Sequence, residues 1–197
     1  CWYHSNLLAE VEQYFVDQPE LEGLIGRAVS EQGRTSLTRF GSYAKVVNCY
    51  DVWRCSATFT MFYRRHALPA IPVFNENLGV GASTPWGAAE DTQLLIDVLN
   101  NGSKVFYQPS LTIFHPDPFT YPRQVLHLRG YKYGCGMGYV MGINHYPRWF
   151  FNYYLLRSVA GIALALCSGK WNKLDHNLQT LKGRWYGWRT AHQELSR

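Results

Sequence analysis

The segment SNLLAEVEQYFVDQPE, residues 5–20, places Leu7, Leu8, Val11, Tyr14 and Phe15 at the intervals that gather apolar side chains on one helical face. Ser5 or Asn6 stands where a cap belongs and Pro19 marks the stop, so the pattern predicts a short amphipathic helix. Residues 19–43 mix charges, Gly and Ser without strong periodicity and predict a short helix joined to a mobile surface loop. VVNCYDVWRCSATFTMFYRR, residues 46–65, concentrates β-branched and aromatic side chains, which favour the pleated surface of one or two strands.

A loop rich in Gly and Pro follows, FNENLGVGASTPWGAAED at 74–91, and leads into TQLLIDVLNNG. There Leu94, Leu95, Val98 and Leu99 form an apolar helical face and Gly102 supplies the stop. KVFYQPSLTIFHP, residues 104–116, reads as a strand or two interrupted by Pro109, ending in a turn at His115, Pro116, Asp117 and Pro118. PRQVLHLRGYKYGCGMGYVM, residues 122–141, is predicted to be helical at its start and close-packed where Gly130, Gly134, Gly136, Gly138 and Gly142 cluster. WFFNYYLLRSVAGIALALC, residues 149–167, has only Asn152 and Arg157 as strongly polar side chains. As a helix it reaches about 28 Å, close to the ~30 Å hydrocarbon core of a bilayer, but Arg157 near its middle argues against a simple lipid-exposed span. Attachment at a membrane surface, a true span and burial in the protein all remain open, with the first favoured.

At 197 residues the chain has room for one ordinary domain, and 47% hydrophobic against 17% charged residues excludes a largely disordered or collagen-like polypeptide. Its aromatic load of 16% suits sugar, membrane-interface or protein contacts. Net charge +5 adds a weak bias toward anionic partners. A nucleic-acid module is disfavoured, since 14 acidic residues dilute the basic signal and there is no reader motif, so no nucleic acid is expected as a partner. The five cysteines form no CxxC pair, which favours free thiols in a reducing compartment over a disulfide framework or structural zinc.

The constellation most suggestive of chemistry is Glu90 and Asp91 at a helix start after a Gly-rich loop, with His115 at a strand end. Helix N-terminal N–H groups favour charged carboxylates, and a carboxylate beside an incoming hydroxyl accepts its proton as a new bond forms. Acids at this position are also ordinary first-turn stabilisers, and His115 is equally a turn histidine satisfied locally or an imidazole ligand. Asn75 and Glu76 line either a polar site or a solvent-facing turn.

In order, ATFTMFYRRHAL, FNENLGVG and WGAAEDTQLLIDVLNNGSKVFYQPSLTIFHP resemble the acceptor-binding half of a family 2 glycosyltransferase with the GT-A fold. RGYKYGCGMGYV is similar to the segment that follows the catalytic domain in several bacterial members. The resemblance implies an α/β fold: a partial GT-A-like mixed sheet with flanking helices over residues 1–120, then a mainly helical, basic and aromatic extension over 121–197. It implies Asp91 as general base and Glu90 as the acid that positions or contacts the acceptor. His115 becomes a metal or diphosphate contact, and Arg129 and Lys132 contacts for a diphosphate or an anionic lipid. Trp53, Tyr63, Phe74 and Trp86 are candidates for acceptor contact, each also a candidate core residue.

The implied partners are a nucleotide-sugar donor and a sugar or lipid-linked acceptor, with Mg²⁺ or Mn²⁺ as cofactor, at the cytoplasmic face of a membrane. Family members carry a nucleotide-binding βαβ half ending in an Asp-rich motif just before a CWY-like sequence, whereas this chain starts at CWYHSNLL. The expectation is therefore truncation immediately after that motif, with activity belonging to the complete parent. The competing expectation is a noncatalytic membrane-associated scaffold derived from a transferase.

Overall fold

The computed structural model describes residues 1–37, 40–116 and 123–196. Two compact units divide the chain: Cys1–Phe74 with Asp91–Thr120, and Asn75–Glu90 with Tyr121–Arg197. The boundary expected at 120/121 and the turn residues Asp117 and Pro118 lie outside the described residues.

The first unit is built on a five-stranded mixed sheet of β1 (Trp2–Tyr3), β2 (Gly23–Val29), β3 (Lys45–Val46), β4 (Met61–Tyr63) and β5 (Val105–Phe114). Its order is β1-β5-β2-β4, and β3 also pairs with β5. Among the described residues only the β2–β5 pair is parallel; both short strands on the outer edge of β5, and β4 on β2, run antiparallel. Helix α1 (Leu7–Asp17) lays Leu7 and Val11 against Leu24 of β2 and Leu111 and Ile113 of β5, with Tyr14, Phe15, Phe59, Phe62 and Phe106 around them. Full burial is worth about 1.5–3 kcal/mol for each large apolar side chain, so this cluster anchors helix to sheet. No side chain caps the start of α1. At its far end Arg64 donates to the carbonyl oxygens of Phe15 at 2.6 Å and Leu21 at 2.8 Å, holding the chain where Pro19 ends the helix.

The central strand is where the sequence expectation fails. Residues 19–43 predict a short helix and loop, yet Gly23–Val29 is β2, buried at every position except the half-buried Arg27. A strand covered on both faces loses the alternation that marks a half-exposed one, so its period is invisible. Over 46–65 the aromatic-rich run is broken, because Asn48 Oδ1 accepts the N–H groups of Tyr50 and Asp51 and turns the chain into the four-residue helix α2 (Val52–Cys55). Pro109 does not divide the next segment. It sits where β5 bulges, four residues lying between Tyr107, opposite Ile25, and Thr112, opposite Arg27, while β2 has only Gly26 there. Gly26 is required: a Cβ would stand 2.5 Å from the Leu111 carbonyl oxygen. Helix α3 (Glu90–Asn100) matches the predicted face, with Leu94, Leu95 and Val98 buried and Gly102 at φ +86° just beyond its end.

The second unit is mainly helical: α4 (Arg123–Ile143), α5 (Arg148–Cys167) and α6 (Trp171–Leu195), with the loop 75–90. The glycine-rich run continues as helix through all of α4 because its glycines are contact points. Gly134 and Gly138, one turn apart, meet the backbone of α6 at Thr180 and Arg184, and Gly142 meets Ala191. Reciprocally, Gly183 and Gly187 of α6 meet the carbonyl oxygens of Tyr131 and Cys135. Small residues every fourth position on both helices allow the two backbones to touch. Gly136, on another face of α4, lies directly against the Ala88 carbonyl, and Gly87 lies against the stem of Lys132.

Helix α5 is long and apolar enough to cross a membrane by length and composition, and about 28% of its apolar window is buried within the chain. Trp149, Tyr153, Leu156, Val159 and Leu164 are exposed, whereas Phe151, Tyr154 and Ser158 face inward. Arg157 rests over the Tyr153 and Tyr154 rings at 5.8 and 5.4 Å, so the polar residue that argued against a span is held against aromatics.

Candidate functional site

Glu90 and Asp91 are the first two residues of α3, where unpaired N–H groups and the helix dipole favour negative charge. Although adjacent, they have different surroundings. Asp91 belongs to the first unit, and its Oδ1 accepts the Thr92 N–H at 2.7 Å. Thr92 is buried, and its hydroxyl pairs with that of buried Ser56 at 2.7 Å, which ties the first turn of α3 to the end of α2. Burial, then Cys55 and Asp91, push the Tyr63 phenol well above its ordinary value, so Tyr63 stays a neutral hydroxyl in this neighbourhood.

Glu90 belongs to the second unit, where its carboxylate lies over the Cα of Gly79: a Cβ there would stand 2.7 Å from Glu90 Cδ. Gly79 takes φ +98° and donates its N–H to the Trp86 carbonyl at 2.8 Å, closing the loop into a ring beneath the acid. Ala89, immediately before the pair, is held at φ +77°. That left-handed conformation costs an alanine about 1–2 kcal/mol and persists because its surroundings fix it. The packing of Ala88 on Gly136 is one such constraint.

Trp86 is buried, stacked on Tyr139 at 4.1 Å and tilted against Tyr186 at 5.9 Å. Its ring is thus engaged within the second unit, and burial pushes the Tyr139 phenol up to about 12. Trp53 is half-buried on α2. Asn75 is exposed and turns the backbone, its Oδ1 accepting the Asn77 N–H at 3.0 Å, and Glu76 is exposed beside it. Tyr63 is half-buried on β4 and Phe74 half-buried before the loop.

His115 stands just past β5, its N–H donating to the Val29 carbonyl. Its Nδ1 is 3.2 Å from the Ser36 hydroxyl and its ring stacks on Phe59 at 5.1 Å. Arg129 and Lys132 lie on α4: the Arg129 guanidinium rests over Tyr133 at 5.9 Å, and Lys132 is exposed above Gly87. Among the described residues no three His, Cys, Asp or Glu side chains converge as a metal site, so His115 alone does not make one.

One feature of the first unit escaped sequence reasoning: a cavity of about 300 Å³ lined by Lys45, Asp51, Arg54, Cys55 and Tyr107. Lys45 and Asp51 pair at 2.5 Å across its wall, and Tyr107 donates to the Gly41 carbonyl at 2.7 Å. Its residues are scattered over 41–55 and 107 with no motif, so only the fold assembles them. No family model, curated protein or solved structure matches the chain.

Proposed function

We propose that the chain supplies the acceptor-side part of a nucleotide-sugar-dependent glycosyltransferase working at the cytoplasmic face of a membrane, with inversion at the sugar carbon. The observation that carries this reading is the start of α3, where Ala89 at φ +77° presents two acids whose surroundings differ. Backbone strain maintained by packing is characteristic of places where side-chain position is used. Asp91 takes the proton from an acceptor hydroxyl as that oxygen attacks the anomeric carbon, while the bond from that carbon to the donor's phosphate oxygen breaks. Glu90, held over Gly79, orients the acceptor. The ordered motifs from ATFTMFYRRHAL to TIFHP support the same reading, as does an open mixed sheet followed by helices.

The reading assigns nucleotide and Mg²⁺ or Mn²⁺ binding to the nucleotide-binding half that such transferases carry, with His115 of this chain as an additional contact. Trp53, Asn75 and Glu76 are then acceptor contacts, and Arg129 and Lys132 contacts for phosphate. Helix α5, with its exposed apolar side chains, sets the enzyme on the membrane surface.

The test is sugar transfer by the full-length protein compared with its Asp91→Asn variant, both verified as folded. Loss of turnover with donor binding retained is expected; unchanged transfer would remove Asp91 as base. The noncatalytic scaffold is the second reading, favoured by the exposed apolar side chains of α5. Binding to vesicles without any binding of nucleotide sugars by the full-length protein would establish it.

A further inference from the structure

In the second unit, a groove of about 530 Å³ opens between the start of α5 and the end of α6. Its floor is aromatic: Phe151 stacks on Trp188 at 4.3 Å, and Trp188 meets His192 at 4.4 Å. The His192 Nδ1–H donates to the Trp188 carbonyl at 2.9 Å, which fixes the imidazole at the groove wall. Among the described residues its charged groups are two arginines, Arg148 of α5 and Arg189 of α6, and no carboxylate of these residues lines it. Neither guanidinium makes a hydrogen bond or ion pair among the described residues. Guanidinium groups are forked donors matched to phosphate oxygens, and two of them left unpaired over an apolar floor favour an anion with an apolar attachment. Trp185 lines the same groove and is 55% exposed, as Trp149 beside Arg148 is 63% exposed. Exposed tryptophans at that level, next to the exposed apolar side chains of α5, suit the headgroup layer of a bilayer.

We infer that this groove is a binding site for the phosphate headgroup of an anionic phospholipid, with Arg148 and Arg189 on the phosphate oxygens and Trp185 at the interface. The site rests on the membrane-surface part of the functional reading and is independent of sugar transfer. Its size falls within the range of small-ligand clefts, roughly 300–1,000 Å³. It orients the helical unit on the surface instead of merely attracting it, because the two guanidiniums come from different helices and grip one group.

The test is sedimentation of the full chain with vesicles of phosphatidylglycerol and phosphatidylcholine, or of phosphatidylcholine alone, at one ionic strength. The Arg148→Gln, Arg189→Gln pair is compared with a charge-matched pair outside the groove, Lys170→Gln with Lys173→Gln. Loss of any two positive charges weakens adsorption to an anionic surface; a specific site adds roughly a further tenfold for the arginine pair. Equal losses from the two pairs overturn the site, and wild type that binds neither vesicle overturns the membrane reading with it. Titration with inorganic phosphate separates the sources. Phosphate binding that disappears in the arginine pair while vesicle binding is untouched makes the ligand a free anion and overturns the lipid assignment. If circular dichroism shows the glutamine pair unfolded, Arg148→Lys with Arg189→Lys keeps the charges and removes the forked donors. Anionic-vesicle binding by that pair is expected to fall, and wild-type binding by it overturns the site.

Discussion

Arg184 of α6 donates to the hydroxyl oxygen of Ser158 on α5 at 2.7 Å, inside the helical unit. Its Nη1 also donates to the Tyr154 carbonyl at 2.6 Å, while its buried Nε has no partner among the described residues. Burial, then Arg157, push the guanidinium down to about 10. A base whose pKa falls on folding binds its proton more tightly in the unfolded chain. The buried charge therefore lowers stability below about pH 10, and that cost is relieved as the pH rises from there toward the ordinary 12.5. Ser158→Ala leaves the charge and removes an acceptor, for an expected loss of about 1.5–3 kcal/mol. Arg184→Met removes the charge together with its desolvation cost and is expected to lose less. Urea denaturation of the two variants gives the order; a greater loss for Arg184→Met would show that its hydrogen bonds outweigh the cost of burial.

The contact of Gly138 with Arg184 decides a second outcome. An alanine in mid-helix gains about 1 kcal/mol over glycine in propensity, but overpacking costs about 1–3 kcal/mol where nothing can yield. At Gly138 the added methyl meets the Arg184 backbone, so α4 and α6 must separate and Gly138→Ala is expected to destabilise. At Gly161 the nearest atoms belong to the Asn177 side chain, with its Oδ1 at 2.6 Å from the added carbon. That side chain can rotate away, so Gly161→Ala is expected to be neutral or stabilising. Thermal melting of both variants checks the difference in sign.

The amphipathic pieces were legible in the sequence because one-sided burial writes a period: α1 and α3 lie where Leu7 and Val11, and Leu94, Leu95 and Val98, predict them. The strand β2 was not legible, since burial on both faces erases alternation, and Pro109 looked like a break because a bulge that accommodates it leaves no local mark. The glycines of α4 signalled close packing, but their partners Gly183 and Gly187 lie more than 40 residues away and only the fold brings them together. Of the site, the acids and their helix start were readable. The left-handed Ala89 and the closure of Gly79 on Trp86 were not, because alanine carries no preference for positive φ.

On the proposed transfer reading, in which Asp91 is the general base, the full-length protein is expected to lose about 10²–10⁴-fold in turnover with Asp91→Asn. Gly79→Ala is expected to act more mildly and through position. It forces a side chain into the Glu90 carboxylate at a backbone conformation, φ +98°, that alanine resists. The acceptor KM should rise while the donor KM holds. A rise in both constants would mean that the loop 75–90 has lost its fold instead of displacing one acid, and circular dichroism would record it.

The thiols give a pH-dependent readout that needs no substrate. Cys1, Cys49 and Cys167 are exposed, whereas Cys55 and Cys135 are buried. Burial pushes the Cys55 thiol up to about 12 and Cys135 up to about 11, from an ordinary 9.0. Since the thiolate is the nucleophile, at about pH 8 only ~10⁻⁴ of Cys55 and ~10⁻³ of Cys135 is in the reactive form, before their lack of access is counted. Iodoacetamide is expected to modify the three exposed cysteines of the native chain, and raising the pH to about 9 should not recruit the other two. A folded-state pKa above the unfolded one gives stability that is complete below about pH 9. For Cys55 this stability declines at roughly 1.4 kcal/mol per unit as the pH climbs toward its folded value. Alkylation of Cys55 should therefore appear only together with unfolding, at the same pH at which the circular dichroism signal is lost; mass spectrometry that finds Cys55 modified in the folded chain would refute its burial at the end of α2.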